Sequence, residues 1–356
     1  MKKLALRLLV FAVIIFIVNY LVVFSLPFAW GAPDLETKYE FYRSRADDYD
    51  TLFIGSSRFY RHISPSVFDN IVAEIEPVQS FNLGVAAFPA PQPFWLYERI
   101  LEDDPEHLKY VFIEISPPGD SPPNTNLHTK RFVYWYNFED TVFLIRSVIR
   151  SDTSIPVKLD FLGIHVMTLL EKQFNIGMGL DIVEFWGRDT TNTLNEFYLG
   201  RQLDGFHSLD QQLEKFPGIS RGISNSQQAF EANPQVLTNR TRQSQQAFNL
   251  EESTLEFNEI YFQEIERIIE LSTARNIHII FVLPPRLGNE YLSILPTFYQ
   301  IAPEHRIELG NPKLYPELYA PEHTFDVGHL NSEGAAVFTE LLAHKFISLL
   351  FEPEQE

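Results

Sequence analysis

The sequence contains no cysteine among its 356 residues. Disulfide bonds, thiolate metal sites and a cysteine nucleophile are therefore excluded. No glycine-rich phosphate loop follows any predicted strand, and no group of histidine and acidic residues has the spacing of metal ligands. We accordingly expect neither a cofactor nor a bound metal ion.

Basic residues are also few. The chain has 28 lysines and arginines against 47 aspartates and glutamates, which gives a formal net charge of −19. A surface of this sign repels nucleic acid at long range, so nucleic-acid binding is excluded as a function class. Hydrophobic residues make up 45% of the chain, which is enough for a sizeable core in one large or two modest domains.

The first 27 residues contain one long apolar segment. Between Leu8 and Leu26 only Asn19 and Ser25 are polar, and nineteen residues form a helix about 28 Å long, close to the hydrocarbon thickness of a bilayer. Two lysines and an arginine precede the segment, so the positive-inside rule puts the N-terminus in the cytoplasm and the rest of the chain in the periplasm or at the cell surface. We predict an uncleaved signal anchor over residues 1–27. A cleaved signal peptide is the alternative, but the residues that follow fit a cleavage site poorly.

From residue 50 onwards, short apolar runs alternate with stretches of helical periodicity. This alternation predicts an α/β domain over residues 50–356, a three-layer α/β/α arrangement with a mainly parallel sheet. Residues 28–49 are mixed and polar and are predicted to form a tether. The predicted strands cover residues 50–55, 78–83, 110–115 and 277–283, and the predicted helices follow Ser64-Pro65, cover 94–101 and 255–274, and end the chain at about 332–351.

The alternation is broken between about residues 116 and 250. Aromatic-rich helical patterns come first and a Gln-, Ser- and Asn-rich stretch follows, which we interpret as a helical insertion that caps the sheet edge. An aromatic cluster within it could stack on sugar rings, lie at a membrane interface or pack inside the insertion, and the usual dominance of aromatic residues in cores favours packing. The cluster consists of Phe132, Tyr134, Trp135, Tyr136 and Phe138.

Two short motifs at opposite ends of the α/β pattern carry residues of acyl-transfer chemistry. The first predicted strand ends in Gly55-Ser56-Ser57, and the loop before the last helix contains Asp326-Val-Gly-His329. Sites in open α/β sheets form at the carboxyl ends of the strands, where a serine in a tight turn can present its hydroxyl. A histidine can take the serine proton and an aspartate can orient the histidine ring. We therefore predict a catalytic triad of Ser57, His329 and Asp326.

This combination resembles the SGNH (GDSL-like) hydrolase superfamily, whose fold is flavodoxin-like. In that pattern Ser57 stands at the nucleophile position, Ser56 replaces the family's aspartate, and Asp326 and His329 match the late Asp-x-x-His. The Gly-Ser-Ser variant is also similar to membrane-anchored relatives that modify cell-envelope polymers, of the DltD and alginate-acetylation kind. The resemblance spans most of the chain apart from the insertion.

Two further blocks of the family pattern can be placed, both with departures. The second block supplies a backbone oxyanion donor from a glycine, and here Ala87 takes that position with Gly84 three residues earlier. The resemblance thus implies an oxyanion hole formed by the backbone N–H groups of Ser57 and of Ala87 or Gly84. The third block supplies an asparagine, but none is in register after the third strand, and Asn124 is the nearest candidate. Loss of one oxyanion donor lowers rates by about 100- to 1000-fold.

Other polar residues at or near the predicted strand ends can be assigned more than one role. Ser56 is a second candidate nucleophile because its hydroxyl is adjacent. Arg58 could bind an anionic substrate group, although an ion-paired or solvated position is the more usual one for such a residue. Glu114, at the end of the third strand, is interpreted as a paired or rim carboxylate. His278 is interpreted as a core histidine.

The favoured function is an extracytoplasmic O-acyl esterase or O-acyltransferase, with acetyl as the expected acyl group. The resemblance implies an envelope or extracellular polysaccharide as substrate and a membrane-bound acyltransferase as a partner. Hydrolysis and transfer share an acyl-enzyme, so the sequence leaves both open. One alternative is a catalytically inactive protein that binds glycan or organises an envelope assembly, and a second is a lipid esterase.

Overall fold

A computed structural model describes residues 2–27, 29–119, 121–122, 127–187, 195–250 and 257–351. The chain forms two compact units. The first contains residues 1–36 and 119–192, and the second contains residues 37–118 and 193–356. Asn124, a candidate oxyanion donor, lies outside the described residues.

The helices are numbered here in chain order. They are α1 (Lys2–Ser25), α2 (Pro33–Arg43), α3 (Ser57–His62), α4 (Pro65–Val72), α5 (Gln92–Glu102), α6 (Lys130–Val133), α7 (Phe138–Arg150), α8 (Ile155–Phe174), α9 (Gly179–Gly187), α10 (Asn195–Leu199), α11 (Leu209–Lys215), α12 (Arg221–Ala232), α13 (Gln235–Phe248), α14 (Glu259–Thr273), α15 (Tyr291–Gln300) and α16 (Ser332–Phe351). Short 3-10 helices cover Ala46–Asp48, Gly288–Glu290, Pro303–His305, Pro316–Tyr319 and Pro321–His323.

The second unit is built on a five-stranded parallel sheet with strand order β2-β1-β3-β4-β5. The predicted α/β class is thereby confirmed, since each of the four predicted strands contains an observed one. The edge strand β5 and helix α15 were not predicted, because their apolar runs are short and interrupted by proline and polar residues. The strands are β1 (Thr51–Ile54), β2 (Ser80–Asn82), β3 (Tyr110–Glu114), β4 (His278–Leu283) and β5 (Arg306–Glu308).

Helices pack on both faces of the sheet. On one face, Phe53 of β1 lies beside Phe112 of β3 with 5.0 Å between ring centroids, and Phe346 of α16 packs on Phe112 at 5.2 Å. On the other face, Phe94 of α5 packs edge-on against Phe281 of β4 at 6.2 Å. Because side chains of a strand alternate between faces, strands buried on both sides read as continuous apolar runs in the sequence.

The stretch predicted as a tether is in large part folded. It contains α2, and Tyr42 and Tyr49 are buried with their rings 6.1 Å and 5.1 Å from that of Phe81 on β2. The tether prediction for residues 28–49 is therefore wrong for this part of the stretch. The tether prediction relied on the polar composition of the stretch. Aromatic side chains in a polar stretch are nevertheless buried when they pack against a sheet edge.

The first unit contains α1 and the helices α6 to α9. Residues Lys3–Ser25 of α1 have a mean hydropathy of 2.8, and the helix is long and apolar enough to cross a membrane. The predicted insertion at about 116–250 is divided between the two units near residue 192. In the aromatic cluster, packing is the observed role of the four buried residues, Phe132, Tyr134, Trp135 and Tyr136, while Phe138 is 73% exposed.

The buried core of the second unit predicts how strongly a large-to-small substitution lowers the free energy of unfolding. Leu342 of α16 is fully buried in the cluster that covers the sheet, and Leu314 is 63% exposed. We expect Leu342→Ala to lower the free energy of unfolding by about 2–5 kcal/mol because it leaves a cavity. The matched Leu314→Ala should change it by less than about 0.5 kcal/mol. Urea unfolding of the full chain in detergent, followed by circular dichroism, measures both, and equal losses would contradict the assigned core.

Candidate active site

The turn after β1 presents a serine hydroxyl at the carboxyl end of the sheet. Ser56 is the N-cap residue of α3, and its Oγ accepts a hydrogen bond from the backbone N–H of Arg58 at 3.2 Å. The helix therefore begins at Ser57, which is half-buried. Glycine is required just before this turn, because a Cβ on Gly55 would lie 2.6 Å from the Cβ of Glu114.

The structure brings Ser57, His329 and Asp326 together although 272 positions separate the serine from the histidine. Nε2 of His329 is 2.8 Å from Oγ of Ser57, and Nδ1 of His329 is 2.9 Å and 3.1 Å from the two carboxylate oxygens of Asp326. A carboxylate only accepts hydrogen bonds, so Nδ1 carries the proton and Nε2 presents its lone pair to the serine hydroxyl. This is the geometry of a serine hydroxyl with its general base.

The loop that carries the pair is folded around the aspartate. Oδ1 of Asp326 accepts hydrogen bonds from the backbone N–H groups of Gly328 at 2.8 Å and His329 at 2.9 Å. Burial alone would raise the pKa of Asp326, but the His329 ring and these two amides together hold that pKa below its ordinary value. The carboxyl group is therefore ionised at neutral pH and can stabilise an imidazolium.

Ser56 points away from the histidine. Its backbone N–H and its Oγ–H donate to the two oxygens of Glu114 at 2.5 Å and 2.9 Å. Burial raises the pKa of Glu114, while Arg58 at 3.8 Å and the Ser56 hydrogen bonds act in the opposite direction. These contacts position Ser56 in the turn and leave its hydroxyl engaged with Glu114, which argues against Ser56 as a second nucleophile. Arg58 is ion-paired with Glu114, which is the more usual position expected for such a residue.

The two candidate oxyanion donors of the second loop differ. The N–H of Gly84 donates to Oδ1 of Asn82 at 2.8 Å, so it is already engaged and we set Gly84 aside as a donor. The N–H of Val85 donates to the carbonyl of Gly55 at 2.9 Å, which holds the loop before Ala87 alongside the serine turn. Ala87 is exposed and has φ of 51°, a left-handed conformation. Within the described part of the chain, no acceptor is seen on its N–H.

A buried cation braces the aspartate–histidine loop. Arg286, which follows β4, is fully buried, and its guanidinium donates to the carbonyls of Leu318 at 2.8 Å, Asp326 at 3.2 Å and His329 at 3.1 Å and to the hydroxyl of Thr324 at 2.8 Å. Burial lowers the pKa of Arg286 to about 10, so the group remains charged at neutral pH. A fixed fork of donors suits several carbonyl groups at once.

A second buried side chain, His62 at the end of α3, supports the same loop. Its Nε2 accepts a hydrogen bond from the N–H of Leu330 at 3.0 Å, and its ring centroid is 6.1 Å from that of His329. Burial, followed by the proximity of the His329 ring and of the Arg286 guanidinium, lowers the pKa of His62 well below its ordinary value. The ring is therefore neutral and links the serine helix to the histidine loop.

The loop after β2 is held by a buried lysine. Nζ of Lys38 donates to the carbonyls of Asn82, Gly84 and Gly205 at 3.2 Å, 2.6 Å and 2.7 Å and lies 3.4 Å from the ring centroid of Tyr60 on α3. Three carbonyls and an aromatic face thus surround this ammonium group. Lys38 lies in the stretch predicted as a tether, so its role was not foreseen.

Chain topology explains why these residues meet. In the order β2-β1-β3-β4-β5 the strand order reverses between β1 and β3, and such a reversal opens a crevice at the carboxyl ends of the strands. The serine turn follows β1, Glu114 ends β3 and Arg286 follows β4. The carboxyl-end rule could have selected Arg286 from the sequence, but nothing in the local pattern indicated what its guanidinium binds.

Comparisons with known proteins do not assign this arrangement. No protein-family description matches the chain, and no curated protein matches it significantly. Among the described residues, no group of three or more histidine, aspartate or glutamate side chains is placed to hold a metal ion. The catalytic roles of Ser57, His329 and Asp326 therefore stay a prediction supported by geometry.

Loss of the buried cation should destabilise the second unit. In Arg286→Met the carbonyls of Leu318, Asp326 and His329 lose their donor, and we expect a loss of at least about 2 kcal/mol in the free energy of unfolding. Arg275→Met removes an exposed arginine and should change it by less than about 0.5 kcal/mol. Urea unfolding measures stability, and hydrogen exchange should show faster opening of residues 318–329 in Arg286→Met alone. Unchanged exchange in that loop would contradict the bracing role.

The neutral state of His62 predicts a pH dependence of stability. Its pKa is lower in the folded than in the unfolded state, where it is about 6.5, so the unfolded chain binds more protons and stability falls as pH decreases below about 6.5. His62→Asn should remove up to about 1.4 kcal/mol per pH unit from this slope. The pKa values of His207 and His278 are also lowered, chiefly by burial. Both residues are present in the unsubstituted protein and in His62→Asn, so they do not account for a difference in slope between the two. Unfolding between pH 4.5 and 7.5 tests this, with the exposed His344→Asn as control, and an unaltered slope in His62→Asn would refute it.

Proposed function

We propose that the chain is a membrane-anchored serine esterase or acyltransferase that acts outside the cytoplasmic membrane. The observation that carries the proposal is the hydrogen-bonded series from Ser57 Oγ through the His329 ring to Asp326, with contacts of 2.8 Å and 2.9 Å. The long apolar helix α1, preceded by basic residues, supports the anchor and its orientation.

The proposed reaction proceeds through an acyl-enzyme. Oγ of Ser57 attacks the acyl carbonyl carbon while Nε2 of His329 takes the serine proton. The tetrahedral intermediate then expels the alcohol, which leaves with the proton from His329, and the acyl group remains on Ser57 as an ester. Water or an acceptor hydroxyl next attacks this ester, giving its proton to His329, and the proton returns to Ser57. Asp326 stabilises the imidazolium at both stages.

Two backbone N–H groups are the proposed oxyanion donors. The N–H of Ser57 is at the first position of α3, where no carbonyl of the helix can accept it. The N–H of Ala87 is the second proposed donor, since Gly84 is engaged with Asn82. A backbone donor does not require glycine, so Ala87 can serve at the position that the SGNH resemblance gives to a glycine.

The proposed substrate is an O-acylated polysaccharide of the cell envelope or extracellular matrix, with acetyl as the acyl group. This rests on the similarity of the Gly-Ser-Ser turn to membrane-anchored envelope-modifying relatives and on the proposed anchor. A membrane-bound acyltransferase that supplies the acyl group is the partner that the same resemblance implies. Whether water or a sugar hydroxyl takes the acyl group determines whether the protein is an esterase or a transferase.

The triad is tested by hydrolysis of a p-nitrophenyl acetate series and by covalent labelling with a fluorophosphonate. We expect Ser57→Ala to lower turnover by about 10⁴- to 10⁶-fold and Asp326→Asn by about 10⁴-fold. Mass spectrometry should place the phosphonate on Ser57. Ser56→Ala serves as the adjacent control, and it should keep the label on Ser57 even if its turnover is reduced by a looser turn.

A well-folded protein with no Ser57-dependent turnover and no label would count against the enzyme. The same site would then be assigned to a non-catalytic glycan-binding or envelope-assembly protein, and Ser57→Ala should leave the cellular role intact. Release of fatty acid from micelles in preference to acetate from glycan would instead identify a lipid esterase. Labelling of Ser57 with turnover only in the presence of a sugar acceptor would identify a transferase.

A further inference from the structure

Helix α8 of the first unit carries an apolar side that is open to its surroundings. Ile155, Leu159, Val166, Leu170 and Phe174 are 73%, 65%, 45%, 42% and 43% exposed. Their spacings of four, seven, four and four residues put them on one side of the helix. We call these five residues the apolar face of α8.

The opposite side of α8 carries three buried polar side chains. His165, Thr168 and Glu171 are nearly inaccessible. Nδ1 of His165 lies 2.8 Å from the hydroxyl of Tyr136, and Oε1 of Glu171 lies 2.5 Å from Nδ1 of His128. A helix on a water-exposed surface has the reverse pattern, whereas helices in lipid direct polar side chains inwards and apolar ones outwards. The side chains of α8 are therefore arranged for an apolar environment.

The end of α8 is bonded to the side of α1. Nδ2 of Asn19 donates to the carbonyl of Gln173 at 2.6 Å, and Nδ2 of Asn175 donates to Oδ1 of Asn19 at 2.8 Å. Asn19 precedes Ser25, the last residue of α1, by six positions, which is about 9 Å along a helix. If α1 crosses a bilayer, the C-terminal end of α8 therefore lies at the depth of the outer turns of the span.

Helix α9 and the residue before it also have one side packed near α1 and another side exposed. Met178 and Ile182 lie in a buried cluster against which Val22 of α1 packs. On the outer side of α9, Leu180 and Trp186 are 82% and 52% exposed. Tryptophan is enriched at the boundary between lipid and water. The exposed apolar side chains of α8 and α9 are thus continuous with the helix that is proposed to cross the membrane.

We propose that α8 and α9 lie in the outer boundary of the bilayer, with the apolar face of α8 and the exposed side chains of α9 against lipid acyl chains. The inference rests on the proposed membrane anchor. Lipid is the occupant because the surface adjoins α1 and because its middle part, residues 161–180, has Lys172, half-buried beside Trp30, as its one partly exposed charge, while the exposed Asp160 and Glu184 lie outside that part. A net charge of −19 gives no attraction to anionic headgroups, so apolar insertion provides the binding.

The absence of cysteine allows a direct depth measurement on the full chain. Single variants Leu170→Cys and Phe174→Cys report on α8, Phe11→Cys reports on α1, and Glu340→Cys on the exposed side of α16 is the matched helical control. Each is labelled with a nitrobenzoxadiazole fluorophore and reconstituted in neutral phosphatidylcholine vesicles. The readouts are the emission maximum, quenching by nitroxides on the lipid acyl chains, and quenching by aqueous iodide.

We expect the probes at positions 170 and 174 to show blue-shifted emission, loss of fluorescence with nitroxide lipid and little loss with iodide. The probe at position 340 should show the reverse. If positions 170 and 174 behave like 340 while position 11 is quenched by lipid, the inference is wrong and the anchor stands. Iodide access at position 11 as well would overturn the anchor itself. Protection of 170 and 174 only after addition of a second membrane protein would assign the face to a protein partner and also overturn the inference.

Discussion

The contact between Gly55 and Glu114 is the constraint on which the serine turn depends. The absence of a side chain at Gly55 allows the Glu114 carboxylate to reach the backbone and hydroxyl of Ser56. This contact ties the end of β1 to the end of β3 and fixes the residue at which α3 begins. The hydroxyl of Ser57 is consequently held by the sheet, which is more rigid than a surface loop.

The histidine side of the site is held by two buried side chains, the charged Arg286 and the neutral His62. Arg286 donates hydrogen bonds to carbonyl groups of the loop between residues 318 and 329, and His62 accepts one from the N–H of Leu330. Neither side chain contacts Ser57, so each acts on the site through the position of the loop. Such groups are costly to bury without partners, which makes the loop conformation specific as well as stable.

Helix α8 of the first unit has the reverse distribution of side chains. The second unit directs apolar side chains into a core between helices and sheet, whereas α8 buries His165 and Glu171 and exposes Leu170 and Phe174. The same hydrophobic effect accounts for both patterns if the surroundings of α8 are lipid. A periodicity analysis of the sequence detects the amphipathic helix but cannot tell which side faces the protein.

The sequence alone determined the α/β class, four of the five strands, the apolar N-terminal helix and the identity of the Ser57, His329 and Asp326 candidates. These features depend on local periodicity, on turn residues and on the rule that parallel sheets bind ligands at their carboxyl ends. Only the tertiary structure decided that Ser56 is bonded to Glu114, that Gly84 is engaged and that Arg286 and Lys38 are buried. Those outcomes depend on contacts between residues far apart in the chain, and local patterns carry no information about which carbonyl or carboxylate a side chain will meet.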